Sequence, residues 1–481
     1  MPQADYQVAS WFLSKSLALS YFLAFLSLLP QALGLFGSQG LLSIDHLLNI
    51  LDKELGAERF YHLPSVFWFF SGDSAIRGLC FLGMIASTLA FIGFSQSWMF
   101  LFCWLFYLSF VSCGQIFLGY QWDSLLLEFG FIGLFMAPWN WEWIPMGAHV
   151  LNPLILGCCW LLLFKLMFSS GIVKFTHKDP SWKNLTAMNY HYWTQPLPNP
   201  VAYFLHKSPE WVHKFSQLLL LFIELIVPFF IFFPGQIQVI AAALLILLQV
   251  LIFLTGNFAF FNIITVGLTF SIVPDNFWLL PMKSYLAPEM FSQEFSFGLL
   301  LVLTCANLFW LFKTTFEKSK VLDFLLPSMR VIYPFRISNP YGLFAVMTKH
   351  RPEIIMEGSN DGQNWMEYGF RYKPSLLTKS PPVVAPHQPR LDWQLWFASL
   401  ERFEENLWLQ NLIVRVFAES RDVQSILGED PFGGKSPKYL RLLRYEYTFS
   451  DFKTLREKKQ WWDRRLIEYY SPIFERDDFI E

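Results

Sequence analysis

Nine long apolar runs in the first 312 residues constrain this chain more than any other feature. The hydrocarbon core of a bilayer is about 30 Å thick, so a helix needs about 20 apolar residues to cross it. Peptide groups left unpaired in lipid are costly, and a helix pairs them internally. The runs therefore predict membrane-spanning helices. They cover residues 17–36, 76–94, 98–119, 125–139, 150–168, 215–233, 237–256, 258–273 and 295–312.

The predicted fold class is a multi-span α-helical membrane protein. We expect about nine spans, with a range of seven to nine, because the runs at 125–139 and 258–273 are short. Hydrophobic residues make up 54% of the chain and charged residues only 15%, unlike an ordinary soluble domain. The first run ends without a small-residue cleavage pattern, so we expect an uncleaved first span. The lipid bilayer is thus the first predicted partner.

Charge, cysteines and motifs exclude several other classes. The net charge of -2 offers no polybasic surface, so we expect no nucleic-acid partner. All six cysteines lie in apolar segments, and none follows Cys305, so the polar part must fold without a disulfide or a thiolate metal site. The motifs of nucleotide-binding, dinucleotide-binding, serine hydrolase and zinc protease sites are absent. We predict no cofactor and no metal.

Composition divides the chain into a membrane domain, residues 1–312, and a water-facing domain, residues 313–481. A polar loop at 169–214, rich in Lys, His, Trp, Tyr and Pro, interrupts the membrane domain. With nine spans, the loop and the C-terminal domain lie on one side of the membrane and can form one surface. Lysines concentrate on that side, as on a cytoplasmic face, but the positive-inside rule is weak beside large folded domains. The orientation stays open.

The C-terminal domain is predicted to be mixed α/β. Its β-branched and aromatic runs predict strands within 329–372 and at 438–449, in a β-sandwich-like sheet. Among them are the runs MRVIYPFRI and GLFAVM. Asn360-Asp361-Gly362 predicts a tight hairpin, because these residues tolerate positive φ. Apolar residues three or four apart predict helices over about 391–428, broken near Asn406.

Lys174 is the first candidate for chemistry. It lies about a helical turn beyond the apolar core of a span, with His177 and Asp179 after it. A partly desolvated lysine can act as a base. The simpler interpretation is a lysine whose stem lies among the acyl chains while its ammonium reaches water. The loop histidines lack the spacing of metal ligands, so they predict no metal site.

Four ionisable residues lie at or near hydrocarbon depth: Asp123, Glu128, Lys165 and Glu224. Such groups are costly in lipid and usually face the interior of a bundle. Lys165 and Glu224 lie on neighbouring apolar helices, where the two side chains can pair. Asp123 and Glu128 stand five residues apart, which puts them on different sides of a helix and excludes an acid pair on one face. Structural roles and a functional cavity are both open, and the acidic residues alone keep a transporter under consideration.

Five segments taken together resemble the lipase maturation factors. They are GYQWDSLLLEFGF, WKNLTAMNYHYWTQPLPNP, RPEIIMEGSNDGQNWMEYGFRYKP, VAPHQPRLDWQLWFASL, and SPKYLRLLRYEYTFSD with WWDRR. Animal members of that family are endoplasmic-reticulum membrane proteins that help dimeric lipases fold and leave the compartment. The resemblance implies a membrane-anchored folding or maturation factor rather than an enzyme, with a lipase or another secreted protein as client. It implies the endoplasmic-reticulum membrane of a eukaryote or the inner membrane of a bacterium.

The resemblance also implies that the C-terminal domain engages the client. Before the predicted helix at 391, Asp392 fits an N-cap after Pro389, and the Arg and Trp residues around it are typical of a binding hot spot. Aromatic and polar residues of the loop and this helix are therefore the candidates for client binding. They are Trp182, His191, Tyr192, Trp193, Gln195, His387, Arg390, Asp392, Trp393 and Trp396.

The membrane half also resembles the transmembrane part of the vitamin K-dependent carboxylases. In those enzymes a lysine leaving such a segment, ahead of an Asp and a Trp, is the base toward the quinol. The corresponding segment here, Lys174 to Trp182, is longer than the carboxylase pattern. This resemblance implies the alternative function, a membrane-embedded enzyme with Lys174 as base and His177 and Asp179 beside it.

Overall fold

The structure is a computed structural model that describes residues 6–137, 139–143, 147–149, 151–278, 283–285 and 293–479. Val150, predicted to begin a span, lies outside the described residues. The N-terminal part is helical. Its helices are α1 (Gln7–Leu28), α2 (Ala32–Phe36), α3 (Ile44–Leu55), α4 (Arg59–His62), α5 (Asp73–Ile92), α6 (Gln96–Cys113), α7 (Gln121–Gly133), α8 (Pro153–Thr176), α9 (Pro180–Lys183), α10 (Met188–Thr194), α11 (Pro200–His206), α12 (Glu210–Leu225), α13 (Gln236–Thr255), α14 (Phe261–Thr269) and α15 (Gln293–Thr315).

Seven helical segments among the described residues are long and apolar enough to cross a membrane. The prediction of a multi-span helical membrane protein is confirmed, with the count at the low end of its range. The segments are Gln7–Leu28, Asp73–Ile92, Gln96–Cys113, Pro153–Thr176, Glu210–Phe232, Gln236–Thr255 and Phe297–Thr315.

The two short apolar runs account for the difference from nine. They form α7, with 13 residues, and α14, with 9 residues. At a rise of about 1.5 Å per residue, α7 is about 20 Å long, less than the thickness of a bilayer core. Leu125, Leu126 and Phe129 in α7 are fully buried. This helix therefore lies inside the bundle, where it presents Asp123 and Glu128 to other protein elements rather than to lipid.

The C-terminal domain contains one antiparallel sheet and several short helices. The strands are β3 (Pro352–Ser359), β4 (Met366–Glu367), β5 (Tyr439–Phe449), β6 (Trp462–Tyr469) and β7 (Phe474–Glu475). They follow the order β4-β3-β5-β6, and β7 pairs with β5. Two further strands, β1 (Gly147–His149) and β2 (Lys283–Tyr285), pair in parallel within the N-terminal part. The helices are α16 (Lys320–Ile332), α17 (Arg390–Ser399), α18 (Leu407–Phe417), α19 (Arg421–Gln424) and α20 (Phe452–Lys458).

The predicted sheet exists, but in the described part of the chain it is a single sheet rather than a sandwich. Every residue of β3 is buried. Helix α17 packs on it, and Ser399 Oγ donates to the carbonyl of Pro352 at 2.8 Å. Helices and the membrane bundle thus cover the sheet in place of a second sheet.

Local predictions for this domain have mixed outcomes. The hairpin is confirmed, since Gly358 pairs with Met366 across the turn and Gly362 has φ +72°. The helix break is also confirmed, between α17 and α18. The strand expected at MRVIYPFRI is wrong, because these residues continue α16 and a following 3-10 turn. The β-branched content suggested a strand, but the apolar side chains of α16 recur at helical spacing.

The residues between α16 and β3 pack against the membrane bundle, and we call 336–349 the docking segment. Part of it, GLFAVM, was expected to be a strand, but the segment is irregular. Its backbone and side chains bond with groups of the membrane domain rather than with another strand. One example is Gly342, whose backbone N–H donates to Gln121 Oε1 at 3.1 Å.

Candidate functional site

A buried ion pair between Asp123 and Arg390 joins the membrane domain to the C-terminal domain. Arg390, the first residue of α17, donates from Nη1 to Asp123 Oδ2 at 2.9 Å and from Nη2 to Oδ1 at 2.8 Å. Tyr107 Oη donates to the same carboxylate at 2.5 Å. Burial opposes the charge on Arg390, but Asp123 outweighs it, and the pKa of the guanidinium is raised. A bidentate pair of this kind fixes orientation as well as distance.

A second buried carboxylate, Glu128, holds the docking segment. Its Oε1 accepts from Lys165 Nζ at 2.6 Å. Its Oε2 accepts from the backbone N–H of Asn339 at 3.0 Å and from Tyr341 Oη at 2.7 Å. Lys165 and Glu128 are both fully buried. The carboxylate thus neutralises a lysine inside the bundle and binds the C-terminal domain at the same time.

Lys174 is paired, and its partner is Glu224. Its Nζ donates to Glu224 Oε2 at 2.7 Å, to the carbonyl of Ser170 at 2.6 Å and to the carbonyl of Leu343 at 3.3 Å. An ammonium has three donors, so each proton has an acceptor. Lys174 is only 1% exposed, and the prediction that it reaches water is wrong. The predicted pair between Lys165 and Glu224 is also wrong, because each of the two has a different partner.

His177 and Asp179 do not assemble with Lys174 into a catalytic group. His177 is exposed at the end of α8. Asp179 accepts from the backbone N–H of Ser181 at 2.9 Å and from that of Met347 at 2.7 Å, so it caps α9 and binds the docking segment. Burial raises the pKa of Asp179, but these N–H donors lower it by more. The pKa of Asp179 is therefore below its ordinary value. The arrangement is structural.

The loop at 169–214 and the C-terminal domain do meet, through Arg351. The guanidinium of Arg351 donates to the carbonyls of Trp193 at 2.8 Å, Gln195 at 2.5 Å and Pro196 at 2.9 Å. Glu353 balances its charge at 2.8 Å. Both side chains are fully buried. This contact was not predicted, although a charged pair at the start of a buried strand, in RPEII, was the available signal.

Most of the client-binding candidates lie in the interior. Trp182, Tyr192, Gln195, Arg390, Asp392, Trp393 and Trp396 are buried, and His191, Trp193 and His387 are half-buried. Trp182 Nε1 donates to the carbonyl of Phe344 at 3.0 Å. The structure therefore places them between the two domains, because Arg390 and the indoles pack against the bundle. Client contact by any of them stays a prediction.

Asp392 does not have its predicted role as the N-cap of α17, and His387 lies against Ser27 of the membrane domain. The N-cap of α17 is Pro389, and no side chain caps it. Asp392 instead accepts from the backbone N–H groups of Tyr372 at 2.9 Å and Lys373 at 2.8 Å. Burial raises its pKa despite these bonds. His387 lies 3.0 Å from Ser27 Oγ, and burial, with Arg390 and Arg371 nearby, lowers its pKa to about 4.

A cavity of about 480 Å³ lies where the membrane helices, the loop, the docking segment and α17 meet. Most of the lining from the membrane helices is apolar, and Lys174 with Glu224, on two of the same helices, forms a charged but balanced part of it. Burial and the neighbouring Lys174 lower the pKa of His191, another lining residue, to about 4, so its ring is neutral at pH 7. The side chains that line the cavity thus carry no net charge. Among the described residues, no group of side chains that could hold a metal ion is found.

Comparisons with known proteins give separate matches for two parts of the chain. The family description "Lipase maturation factor transmembrane domain" matches residues 8–280, and "Lipase maturation factor C-terminal domain" matches residues 337–472. Lipase maturation factor 2 of Xenopus laevis is 31% identical over 96% of this chain and 82% of its own length. Lipase maturation factor 1 of Bos taurus is 32% identical over 97% and 89%, and that of Homo sapiens is 31% identical over 96% and 87%. No solved structure matches the chain.

Proposed function

The chain belongs to the lipase maturation factor family, and from this premise we propose that it assists the folding or assembly of lipases or other secreted proteins. In this proposal it acts as a membrane-anchored factor rather than as an enzyme. Its location is the membrane that the clients cross, the endoplasmic reticulum of a eukaryote or the inner membrane of a bacterium. The names of the relatives support the client class, since each is called a lipase maturation factor.

One observation carries the proposal: an exposed edge strand with apolar side chains in its C-terminal half, on a domain fixed to a membrane bundle. Strand β6 lies at an edge of the sheet. Leu466, Ile467 and Tyr469 on it are exposed, and so is Ile473 in the turn that follows. Unpaired strand edges can bind an extended segment of another chain. A partly folded client offers such segments, so we propose β6 as the client surface.

The buried cluster around Arg390 has a different part in this proposal. It holds α17 and the sheet on the bundle, so that the edge strand keeps a fixed position near the membrane. Rigid support of an exposed binding element limits the entropy lost when a partner binds. We therefore expect substitutions of Arg390 to affect client recovery through the attachment of the domain.

Crosslinking and pull-down of the intact protein from its native membrane test this function. We expect secreted or envelope lipases among the recovered partners of the parent protein. Ile467→Asp should lower their recovery about tenfold, the effect of about 1.4 kcal/mol. Leu407→Asp, which changes an exposed leucine elsewhere in the same domain, is the matched control and should recover clients normally. Recovery of no secreted protein above protein-free membranes would overturn the proposal.

A further inference from the structure

The cavity at the domain junction has the size of a ligand site. A volume of about 480 Å³ equals that of about 16 water molecules in the liquid. Small-molecule sites in proteins range from about 300 to 1,000 Å³. Protein interiors are otherwise packed with few voids larger than one water molecule. A partly open space of this size can therefore hold a ligand, and its walls indicate which one.

The wall contributed by the membrane helices favours a hydrocarbon chain. Leu166 and Met167 of α8, Leu220 of α12, and Leu248 and Ile252 of α13 line this side. These side chains offer water no hydrogen bonds, and apolar cavities in proteins stay dry. A flexible acyl chain fills an irregular apolar space of this kind and gains by leaving water.

Another part of the lining contains buried hydrogen-bonding groups without partners. The indole N–H groups of Trp122, Trp393 and Trp396 have no acceptor among the described residues, and Gln195 Oε1 has no donor. All four side chains are more than nine-tenths buried, and all line the cavity. An indole nitrogen can only donate, whereas the amide oxygen can only accept. Buried polar groups in proteins are normally satisfied. The missing partners are an oxygen acceptor and a hydroxyl donor.

Charge decides which polar head fits. Lys174 and Glu224 neutralise each other at the wall, and each ammonium proton already has an acceptor. No uncompensated charge is left among the lining side chains to balance a carboxylate, a phosphate or a quaternary amine. An ionic head would be desolvated here without a partner, which is costly. Ester and hydroxyl oxygens match the indoles and the amide oxygen without carrying charge.

We propose that this cavity binds a neutral single-chain acyl lipid of the monoacylglycerol type. Its ester and hydroxyl oxygens face Trp122, Trp393, Trp396 and Gln195, and its chain lies along α8, α12 and α13. Three lining residues, Val346, Phe397 and Leu400, are exposed and form an apolar mouth through which such a lipid enters. The site does not depend on the client role proposed above, and the client pull-down does not test it.

Equilibrium binding of labelled 1-oleoylglycerol to the full-length protein in nanodiscs of fixed composition tests the proposal, with empty nanodiscs subtracted. We expect saturable binding of one molecule per chain. Leu248→Trp fills the apolar end and should remove binding. Leu247→Trp, on the exposed side of the same helix, is the matched control and should leave affinity unchanged. Trp396→Phe keeps an aromatic side chain, smaller than the indole, but loses the N–H, so affinity should fall about three- to tenfold.

Two other lipids separate the head-group classes. Oleate and lysophosphatidylcholine carry the same chain with charged heads, and we expect each to compete at least about tenfold less well than 1-oleoylglycerol, since an ionic head lacks a partner here. Equal or better competition by either lipid would overturn the proposal. Unchanged affinity in Leu248→Trp would do so too. Melting temperatures of the unliganded variants show that each is folded, and Trp396→Phe keeps the test valid if Leu248→Trp does not fold.

Discussion

At the scale of single residues, the charged groups of the membrane domain act in pairs that the fold completes. Lys165 and Glu128 are both fully buried, so each is stable only while the other balances it. Burial of an ion carries a desolvation cost that a partner offsets. The same carboxylate also binds Asn339 and Tyr341, which makes its loss costly for two domains at once.

Removing one member of this pair should destabilise the protein strongly. We expect Lys165→Ala to lower the free energy of unfolding by about 3 to 5 kcal/mol, because Glu128 is left charged and unpaired. The double variant Lys165→Met with Glu128→Gln should recover part of this loss. Lys214→Ala, which breaks the exposed pair with Glu210, is the control and should cost less than about 1 kcal/mol. Thermal unfolding in detergent measures all three, and an equal loss in the control would contradict the argument.

A buried histidine makes stability depend on pH. Burial, with Arg390 and Arg371 nearby, lowers the pKa of His387 to about 4. In the unfolded chain a histidine has a pKa of about 6.5. Between these values the unfolded state binds more protons, so stability is complete above pH 6.5 and falls as the pH is lowered toward 4. From pH 7 to pH 5 the loss from His387 should be about 2 kcal/mol at most.

Melting temperatures from pH 7.5 to pH 5 check this dependence. His387→Gln cannot take up the proton, so its melting temperature should fall less over that range than that of the parent. The glutamine can still bond with Ser27, which keeps the comparison close at pH 7.5. Parallel curves for the two proteins would show that His387 is not the group responsible.

Among the helices of the membrane domain, α7 is short and its residues are mostly buried. It is too short to cross a bilayer and is buried between spanning helices, so its surface contacts protein on every side. Close approach to α1 requires a glycine at position 130. A Cβ built there would lie 1.8 Å from the hydroxyl of Tyr21, which is itself fully buried.

Gly130→Ala should therefore weaken the packing of α7 on α1. We expect a loss of about 1 to 3 kcal/mol, the usual cost of overpacking a tight interior. Gly157→Ala in α8 is the matched control, because nothing lies within 4 Å of the added carbon there. That change should be neutral or stabilise the helix by up to about 1 kcal/mol. Thermal unfolding distinguishes them, and equal effects at the two glycines would contradict the close approach.

At the scale of the whole molecule, the two domains are held together by buried polar contacts. Arg390 with Asp123, the docking segment with Glu128, and Arg351 with the loop carbonyls lie along one junction. Each charged partner comes from a different part of the sequence. The membrane bundle is thus a platform that positions the C-terminal sheet.

Arg390→Lys should loosen this attachment without removing the charge. Lysine cannot form the bidentate pair with Asp123, nor reach Tyr107 and the carbonyl of Phe117 together. We expect protease to release a C-terminal fragment several times faster from membranes containing this variant. Arg402→Lys, whose arginine is exposed and pairs with Glu404 of the same domain, is the control. Equal release rates for both variants would mean that the pair does not fasten the domain.

Much of this protein was predictable because the relevant physics is local along the chain. Apolar runs of bilayer length define the spanning helices, and the Asn-Asp-Gly turn defines the hairpin. The change of composition near residue 313 indicates a second domain by the same reasoning. The wrong prediction of a strand at MRVIYPFRI has a local cause too. β-branched residues occur in helices as well as in strands, and the first four residues of this run end α16.

Which distant groups meet, by contrast, depends on the complete fold. The sequence marked Asp123, Glu128, Lys165 and Glu224 as costly in lipid. The pairs Lys165–Glu128 and Lys174–Glu224 follow from how the membrane helices pack on one another. The bonds of Asp123 with Arg390, and of Glu128 with Asn339 and Tyr341, follow from how the C-terminal domain packs on the bundle. The same packing buries the tryptophans around Arg390 and leaves the cavity beside them. Burial and pairing depend on contacts between residues far apart in the chain, and hydrophobic pattern and spacing contain no record of those contacts.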